Sequence, residues 1–208
     1  MDDLQLQAKL EIMRAQSQRF TEYYAKYFSQ EETADLVNFF FNKIYNLESQ
    51  GEIIQTAINT FGKIKGKLPA EIRKSIQDVI DLNDFTAQMD EGMGHVLLQR
   101  GWQQGIAINT AELIETYRAY GHRDERIKQL TVMIDTLEFS HQLAHSSLGR
   151  VLLGPARMAA RVFRVMPLFE FLEEGYFATR KVSVDLFTEF LHEVEAKEWE
   201  FLYGNLGK

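Results

Sequence analysis

The chain has 208 residues, 45% hydrophobic and 25% charged, with a net charge of −7 and no cysteine. This composition excludes a disordered chain, disulfides, thiolate metal sites and cysteine nucleophiles, and the acidic balance argues against general nucleic-acid binding. The chain has no run of about 18 apolar residues, so we expect no transmembrane segment. The N-terminal stretch lacks the apolar core of a signal peptide, so we expect a soluble, cytoplasmic protein.

Helical spacing of apolar residues predicts three helices in the first third of the chain, over residues 3–28, 30–46 and 52–64. Ser29 is the predicted N-cap of the second helix, with Glu32 completing a capping box. Phe39 lies off the apolar stripe of that helix. It is either part of a second packing face, which we favour, or an exposed anchor for a partner.

A long helix is predicted from about residue 69 to 100, with Pro69 in its first turn. Gly92 and Gly94 in its second half predict the close approach of another backbone. Asn109 caps the next predicted helix, which ends at Gly121.

A further helix is predicted from Arg123. Pro155 and Pro167 are predicted to divide the region after Gly149 into shorter helices, and the last helix covers about Val182 to Tyr203. No segment alternates apolar and polar residues with a period of two for long enough to predict a strand. The predicted fold is all-α: a single domain over residues 1–208, an irregular bundle of roughly eight to ten helices around the long central helix (about 69–100).

Four segments, in order along the chain, together resemble the bacterial family named for its FFLEELY motif. The matching positions are Phe39, Phe40, Ile44 and Tyr45 in FFFNKIYN; Asn83, Thr86 and Asp90 in IDLNDFTAQMD; Gly121, Arg126 and Gln129; and Pro155, Ala156, Phe171, Leu172, Glu173, Gly175 and Tyr176. Asn42 and Lys43 replace the two glutamates of the motif, and Asn83 replaces the family's histidine. The resemblance implies a mostly helical bacterial protein and brings no activity with it.

Three polar residues fall on the apolar side of the long helix: Asn83, Thr86 and Asp90. At about 100° per residue they lie roughly opposite Asp81, which belongs to the solvated stripe. A buried carboxylate needs a partner, because burying it unpaired is costly. The set is either a ligand-binding pocket with Asp90 as anchor or base, or a hydrogen-bonded network in which Asp90 pairs with an arginine such as Arg118 or Arg126.

Two Glu-x-x-His motifs, Glu138 with His141 and Glu189 with His192, have the spacing of carboxylate-bridged di-iron sites. The second pair lies on the solvent side of its predicted helix, whereas metal ligands should point into the core. We therefore predict no metal site and no cofactor, and assign no catalytic residues.

Four arginines, Arg150, Arg157, Arg161 and Arg164, follow helical spacing in a window from Ser147 to Phe169 that contains no acidic residue. They carry +4, which leaves −11 for the rest of the chain. Leu152, Leu153, Val162, Phe163 and Val165 provide apolar flanks. Such a helix contacts an anionic membrane or an acidic partner, unless acidic helices of this chain or of a second subunit neutralise it.

The sequence does not identify a function. The interpretation that fits best is a non-enzymatic helical interaction or adaptor protein, in which the arginines and Phe39 contact a protein partner, a second copy of the chain or an anionic surface. The alternative is a small-ligand-binding or enzymatic helical domain with a pocket near Asn83, Thr86 and Asp90.

Overall fold

The computed structural model describes residues 2–44, 58–63, 65–67, 70–162 and 166–207, and every regular element in these ranges is helical. The predicted all-α fold is therefore confirmed. The elements in chain order are α1 (Asp3–Tyr23), α2 (Ala25–Ser29), α3 (Glu31–Val37), a π-helical segment (Asn38–Ile44), α4 (58–63), a 3₁₀ turn (Lys65–Lys67), α5 (Ala70–Gln99), α6 (Thr110–Tyr120), α7 (Arg123–His145), α8 (Ser147–Val162), α9 (Met166–Lys181) and α10 (Val184–Leu206). Residues 52–57 and 64 of the predicted third helix, and Pro69, lie outside the described residues.

The first predicted helix is interrupted at Tyr24, and the predicted cap at Ser29 is wrong. The Ser29 hydroxyl donates to the carbonyl oxygen of Lys26 at 2.9 Å and so belongs to the end of α2. The N-cap of α3 is Gln30, whose side chain makes no capping bond. A serine hydroxyl bonds equally well to a preceding helical carbonyl or to a following N–H, and sequence spacing does not distinguish the two.

Phe39 is buried, so the packing interpretation is confirmed and Phe39 is not an exposed contact residue. Its ring lies 4.9 Å from the ring of Phe171, and its edge fills the space beside Gly175 in α9. The segment from Asn38 is π-helical, with bonds from residue i to i+5. Phe41, two residues further on, stacks instead on Phe20 and Tyr24, so this segment is buried on two faces and Phe39 belongs to the second one.

The long helix α5 lies against α1, α6 and α7. A Cβ atom at Gly94 would lie 2.9 Å from the backbone nitrogen of Lys9, so the predicted close approach of a second backbone is confirmed, with α1 as the neighbour. A Cβ atom at Gly92 would instead meet the ring of Tyr120 in α6.

Helix α6 begins and ends as predicted. The Asn109 side chain accepts from the N–H of Glu112 at 3.0 Å, the Glu112 side chain accepts from the N–H of Asn109 at 2.9 Å, and Gly121 follows the last turn with φ of 72°. The predicted arginine start of α7 is also confirmed.

The predicted division at Pro155 is wrong, because α8 continues from Ser147 to Val162 through this residue. Pro155 has no N–H, so the Val151 carbonyl loses its helical donor. Both residues are exposed, and water can take the place of that bond. Pro167 is the second residue of α9, where its missing N–H would have no helical partner in any case.

Two buried apolar clusters form the core. The first comprises Phe20, Tyr24, Tyr27, Leu36, Val37, Phe41, Leu137, Val182, Phe187, Phe190 and Val194. The second comprises Ile12, Ala15, Met93, Leu97, Ile108, Leu113 and Tyr117. The buried guanidinium of Arg19 contacts both regions, over the ring of Phe20 at 4.5 Å and over that of Phe201 at 4.1 Å.

Candidate functional site

The Asp90 side chain is fully buried between α5 and α1. Its Oδ1 accepts a hydrogen bond from Nε2 of Gln16 at 2.9 Å. Asp90 is held on this face because α5 turns its inner stripe toward α1, one turn before the glycine at which the two backbones meet. The carboxylate therefore ties the long helix to the N-terminal helix.

A second set of polar contacts joins α5 to α7. Thr86 Oγ1 accepts from Gln129 Nε2 at 2.7 Å, and Gln129 Oε1 accepts from Arg126 Nη1 at 3.0 Å. Arg126 is 4% exposed, and its guanidinium lies 4.8 Å from the Tyr117 ring centroid. Asn83, half-buried, lies one turn before Thr86.

Of the two arginines expected near Asp90, only Arg126 is buried. Arg118 is exposed and donates to the side chain of Asn205 at 3.0 Å, so its predicted place beside Asp90 is wrong. A surface cleft of about 590 Å³ lies at the start of α5, against α4. Its lining comprises Phe61, Lys65, Gly66, Ala70, Arg73, Lys74, Gln77 and Asp78, so none of the three inner polar residues opens into it.

A buried ion pair near these contacts was not predicted from the sequence. Arg19 Nη2 lies 2.8 Å from Glu198 Oε2, and the Tyr24 hydroxyl donates to Glu198 Oε1 at 2.7 Å. Burial, together with the neighbouring Glu198 carboxylate, raises the pKa of Tyr24 well above its usual value. The only sequence signal was a charged residue, Arg19 or Glu198, at an apolar position of its helix.

The Glu-x-x-His motifs do not converge. His141 is buried, with its ring stacked on Phe187 at 3.9 Å between centroids, and burial together with His145 lowers its pKa. Glu189 is exposed and bonds to Lys26 at 3.2 Å. Among the residues that the structure describes, no three histidine, aspartate or glutamate side chains are grouped as a metal site would require.

The arginine row lies on α8, and its described members are exposed. Arg157 is paired with Glu173 of α9, at 2.6 Å from Nη2 to Oε2, so the predicted neutralisation holds for this arginine. Arg150 and Arg161 have no ion pair within the described part of the chain. Arg164 lies outside the described residues.

Each of the three described arginines is followed directly by an exposed apolar residue. Val151, Met158 and Val162 are 69%, 70% and 76% exposed, the highest values among large apolar side chains in the described ranges. Val162 was predicted as an apolar flank of the arginines, whereas Val151 and Met158 were not, although each of them directly follows an arginine in the sequence. We call Arg150, Val151, Arg157, Met158, Arg161 and Val162 the α8 outer face.

The opposite side of α8 includes two small buried residues, Gly149 and Ala160. A Cβ atom at Gly149 would overlap the carbonyl of Leu143 in α7 and touch the Tyr176 ring of α9, and Ala160 is buried. Gly149 lets α8 lie close to α7 and α9, and Leu153 is half-buried, while Val151, Met158 and Val162 are exposed.

In the described ranges, no helix has both the length and the apolar character needed to cross a bilayer. No curated protein and no solved structure matches the chain. The sequence profile of one family matches residues 2–204, nearly the whole length. The chain therefore belongs to the family described as a domain of unknown function, DUF8198.

Proposed function

We propose that this protein is a non-enzymatic interaction protein whose contact surface is the α8 outer face. The observation that carries the proposal is the exposure of Val151, Met158 and Val162 on one side of a single helix, beside arginines. Isolated exposed apolar residues are normal, whereas a contiguous apolar stripe beside charged residues is typical of a binding surface. The cytoplasmic location and the bacterial origin implied by the FFLEELY resemblance belong to the same proposal.

The arginines add selectivity for an acidic partner. Arg157 already has a carboxylate partner, so among the arginines that the structure describes on α8, Arg150 and Arg161 are those without an ion pair. Charge reversal should therefore be made at Arg150 and Arg161, where it leaves the ion pair with Glu173 intact.

The alternative of a ligand pocket around Asn83, Thr86 and Asp90 has weaker support. Thr86 and Asp90 bond to Gln129 and Gln16, which are side chains of the protein itself. A ligand would have to displace these partners to reach the two residues.

Photo-crosslinking tests the proposed surface without knowledge of the partner. Benzoylphenylalanine is placed at Met158 in cells that produce the protein naturally, and at Ile106 as a matched control. Ile106 is 53% exposed and lies in the loop between α5 and α6, outside α8. We expect a crosslinked product from position 158 and little from position 106. Equal yields at the two positions, or no product at 158, would contradict the proposal.

A further inference from the structure

We infer that the α8 outer face binds the surface of an anionic lipid bilayer. This inference rests on the proposed function and names the partner of that surface.

The geometry of α8 suits a helix lying in the plane of a bilayer surface. At about 100° per residue, Val151, Met158 and Val162 fall within about 40° of one another, and the arginines form a parallel stripe about 100° away. Relative to the buried Gly149, the apolar stripe points about 180–220° around the helix, directly away from α7 and α9. Apolar side chains can therefore enter the acyl boundary while the arginines reach the phosphate groups from the side.

The charge distribution favours an anionic bilayer over a neutral one. The window from Ser147 to Phe169 has no acidic residue and carries +4, whereas the rest of the chain carries −11. An anionic surface attracts this window and repels the rest, which orients the molecule with α8 toward the lipid. Glu173 offsets Arg157 on the α9 side, so among the described arginines the attraction comes mainly from Arg150 and Arg161.

A second copy of the chain suits this face less well. Two α8 outer faces packed together would bring two arginine stripes into contact with no acidic residue in either window to offset them. The face is also a convex ridge formed by one helix, and a flat bilayer can cover such a ridge along its length of about 24 Å. The remaining candidate is a groove in another protein. Such a partner would give no flotation of the purified protein on lipid vesicles, so vesicle flotation separates it from a bilayer.

Vesicle flotation with the full chain tests the inference. The probes are phosphatidylcholine vesicles and vesicles that also contain phosphatidylglycerol. We expect flotation only with phosphatidylglycerol, and weaker flotation at high salt because screening reduces the attraction. The Arg150→Glu/Arg161→Glu variant and the Met158→Ser/Val162→Ser variant should each bind about tenfold more weakly or worse.

Two single-substitution controls outside α8 accompany these double variants. Lys128→Glu reverses an exposed charge on α7, and Ile106→Ser removes an exposed apolar side chain off α8. Both should float like the unmodified protein, and circular dichroism should show unchanged helix content for all variants, because the replaced side chains are exposed. No flotation with phosphatidylglycerol, or equal losses in Lys128→Glu and Arg150→Glu/Arg161→Glu, would overturn the inference.

Failure of the inference is separable from failure of the proposed function. If position 158 crosslinks to another protein and the chain does not float with anionic vesicles, the lipid assignment is wrong but the α8 outer face is still a contact surface. No crosslink to protein or lipid, without flotation, would overturn both.

Discussion

At the scale of single residues, the hydrogen bond between the buried side chains of Asp90 and Gln16 connects α5 to α1. Asp90→Ala would leave the buried Gln16 amide without this acceptor, at a cost of about 1–3 kcal/mol in the free energy of unfolding. Asp90→Asn should cost less, because its amide oxygen can still accept from Gln16. Urea denaturation measures both, and wild-type stability in Asp90→Ala would instead favour the pocket interpretation.

The buried pair of Arg19 and Glu198 predicts a larger effect. Glu198→Leu leaves the guanidinium of Arg19, 3% exposed, without its carboxylate and should cost about 3–5 kcal/mol. Arg19→Leu/Glu198→Leu removes both charges and should be more stable than Glu198→Leu alone. Denaturant unfolding of the wild type, the two single variants Arg19→Leu and Glu198→Leu, and the double variant gives the coupling energy between the two side chains. Additive effects of the two single substitutions would show that the pair does not act together.

His141 predicts a dependence of stability on pH. Burial and the neighbouring His145 lower its pKa below the ordinary value of 6.5, so the unfolded chain binds a proton more readily than the folded one. The free energy of unfolding contributed by His141 is therefore fully present above about pH 6.5 and is lost as pH falls through the lower folded pKa.

His141→Phe tests this dependence. The substitution should keep the stacking on Phe187 and flatten the pH profile of thermal unfolding on the acidic side of pH 6.5. An unchanged profile would assign the acid sensitivity to other groups.

For Asp90, the sequence predicted the inward position of the side chain but not its hydrogen-bond partner. Spacing alone placed Asp90 on the inner face of the long helix, and the structure shows it fully buried. Its partner Gln16 lies 74 positions away, on a helix whose orientation depends on tertiary packing. Sequence spacing describes one helix at a time, so it suggested Arg118 or Arg126 as the partner and not Gln16, and Arg118 faces solvent.

At the scale of elements, the approach of α1 to α5 gives a matched glycine test. Gly94→Ala would place a Cβ atom 2.9 Å from the backbone nitrogen of Lys9, so it should destabilise the protein although alanine favours helix. Gly204 lies in α10, where an added Cβ atom would meet no atom of another part of the protein within 4 Å. Gly204→Ala should therefore stabilise the protein by up to about 1 kcal/mol. Thermal melts compare the two, and a stabilised Gly94→Ala would contradict the close packing.

Element boundaries were predictable where one local motif decides them. Asn109, Glu112 and Gly121 satisfy the backbone groups at the two ends of α6, and the structure places both ends there. Pro155 removes only one hydrogen bond, which tertiary packing of α8 through Gly149 outweighs, so the helix continues. The π-helical segment contacts α9 through Phe39, and a pattern with 3.6 residues per turn reveals neither the π-helical turn nor this contact.

At the scale of the whole molecule, charge and exposed apolar surface coincide on one helix of an otherwise acidic chain. The positive window and its arginine spacing were visible in the sequence. The sequence did not show which side of α8 faces outward, because apolar residues occur on more than one side of the helix, at half-buried Leu153 as well as at exposed Val151. Only the packed structure shows that Val151, Met158 and Val162 face solvent.

Because the chain contains no cysteine, a single introduced thiol reports directly on coverage of the α8 outer face. Met158→Cys and the control Ile106→Cys are labelled with a maleimide, both in intact cells and after purification. We predict that the thiol at position 158 is protected in cells and reactive in the purified protein, whereas the thiol at position 106 reacts in both. Equal reactivity of position 158 in cells and after purification would contradict the assignment of this face as a contact surface.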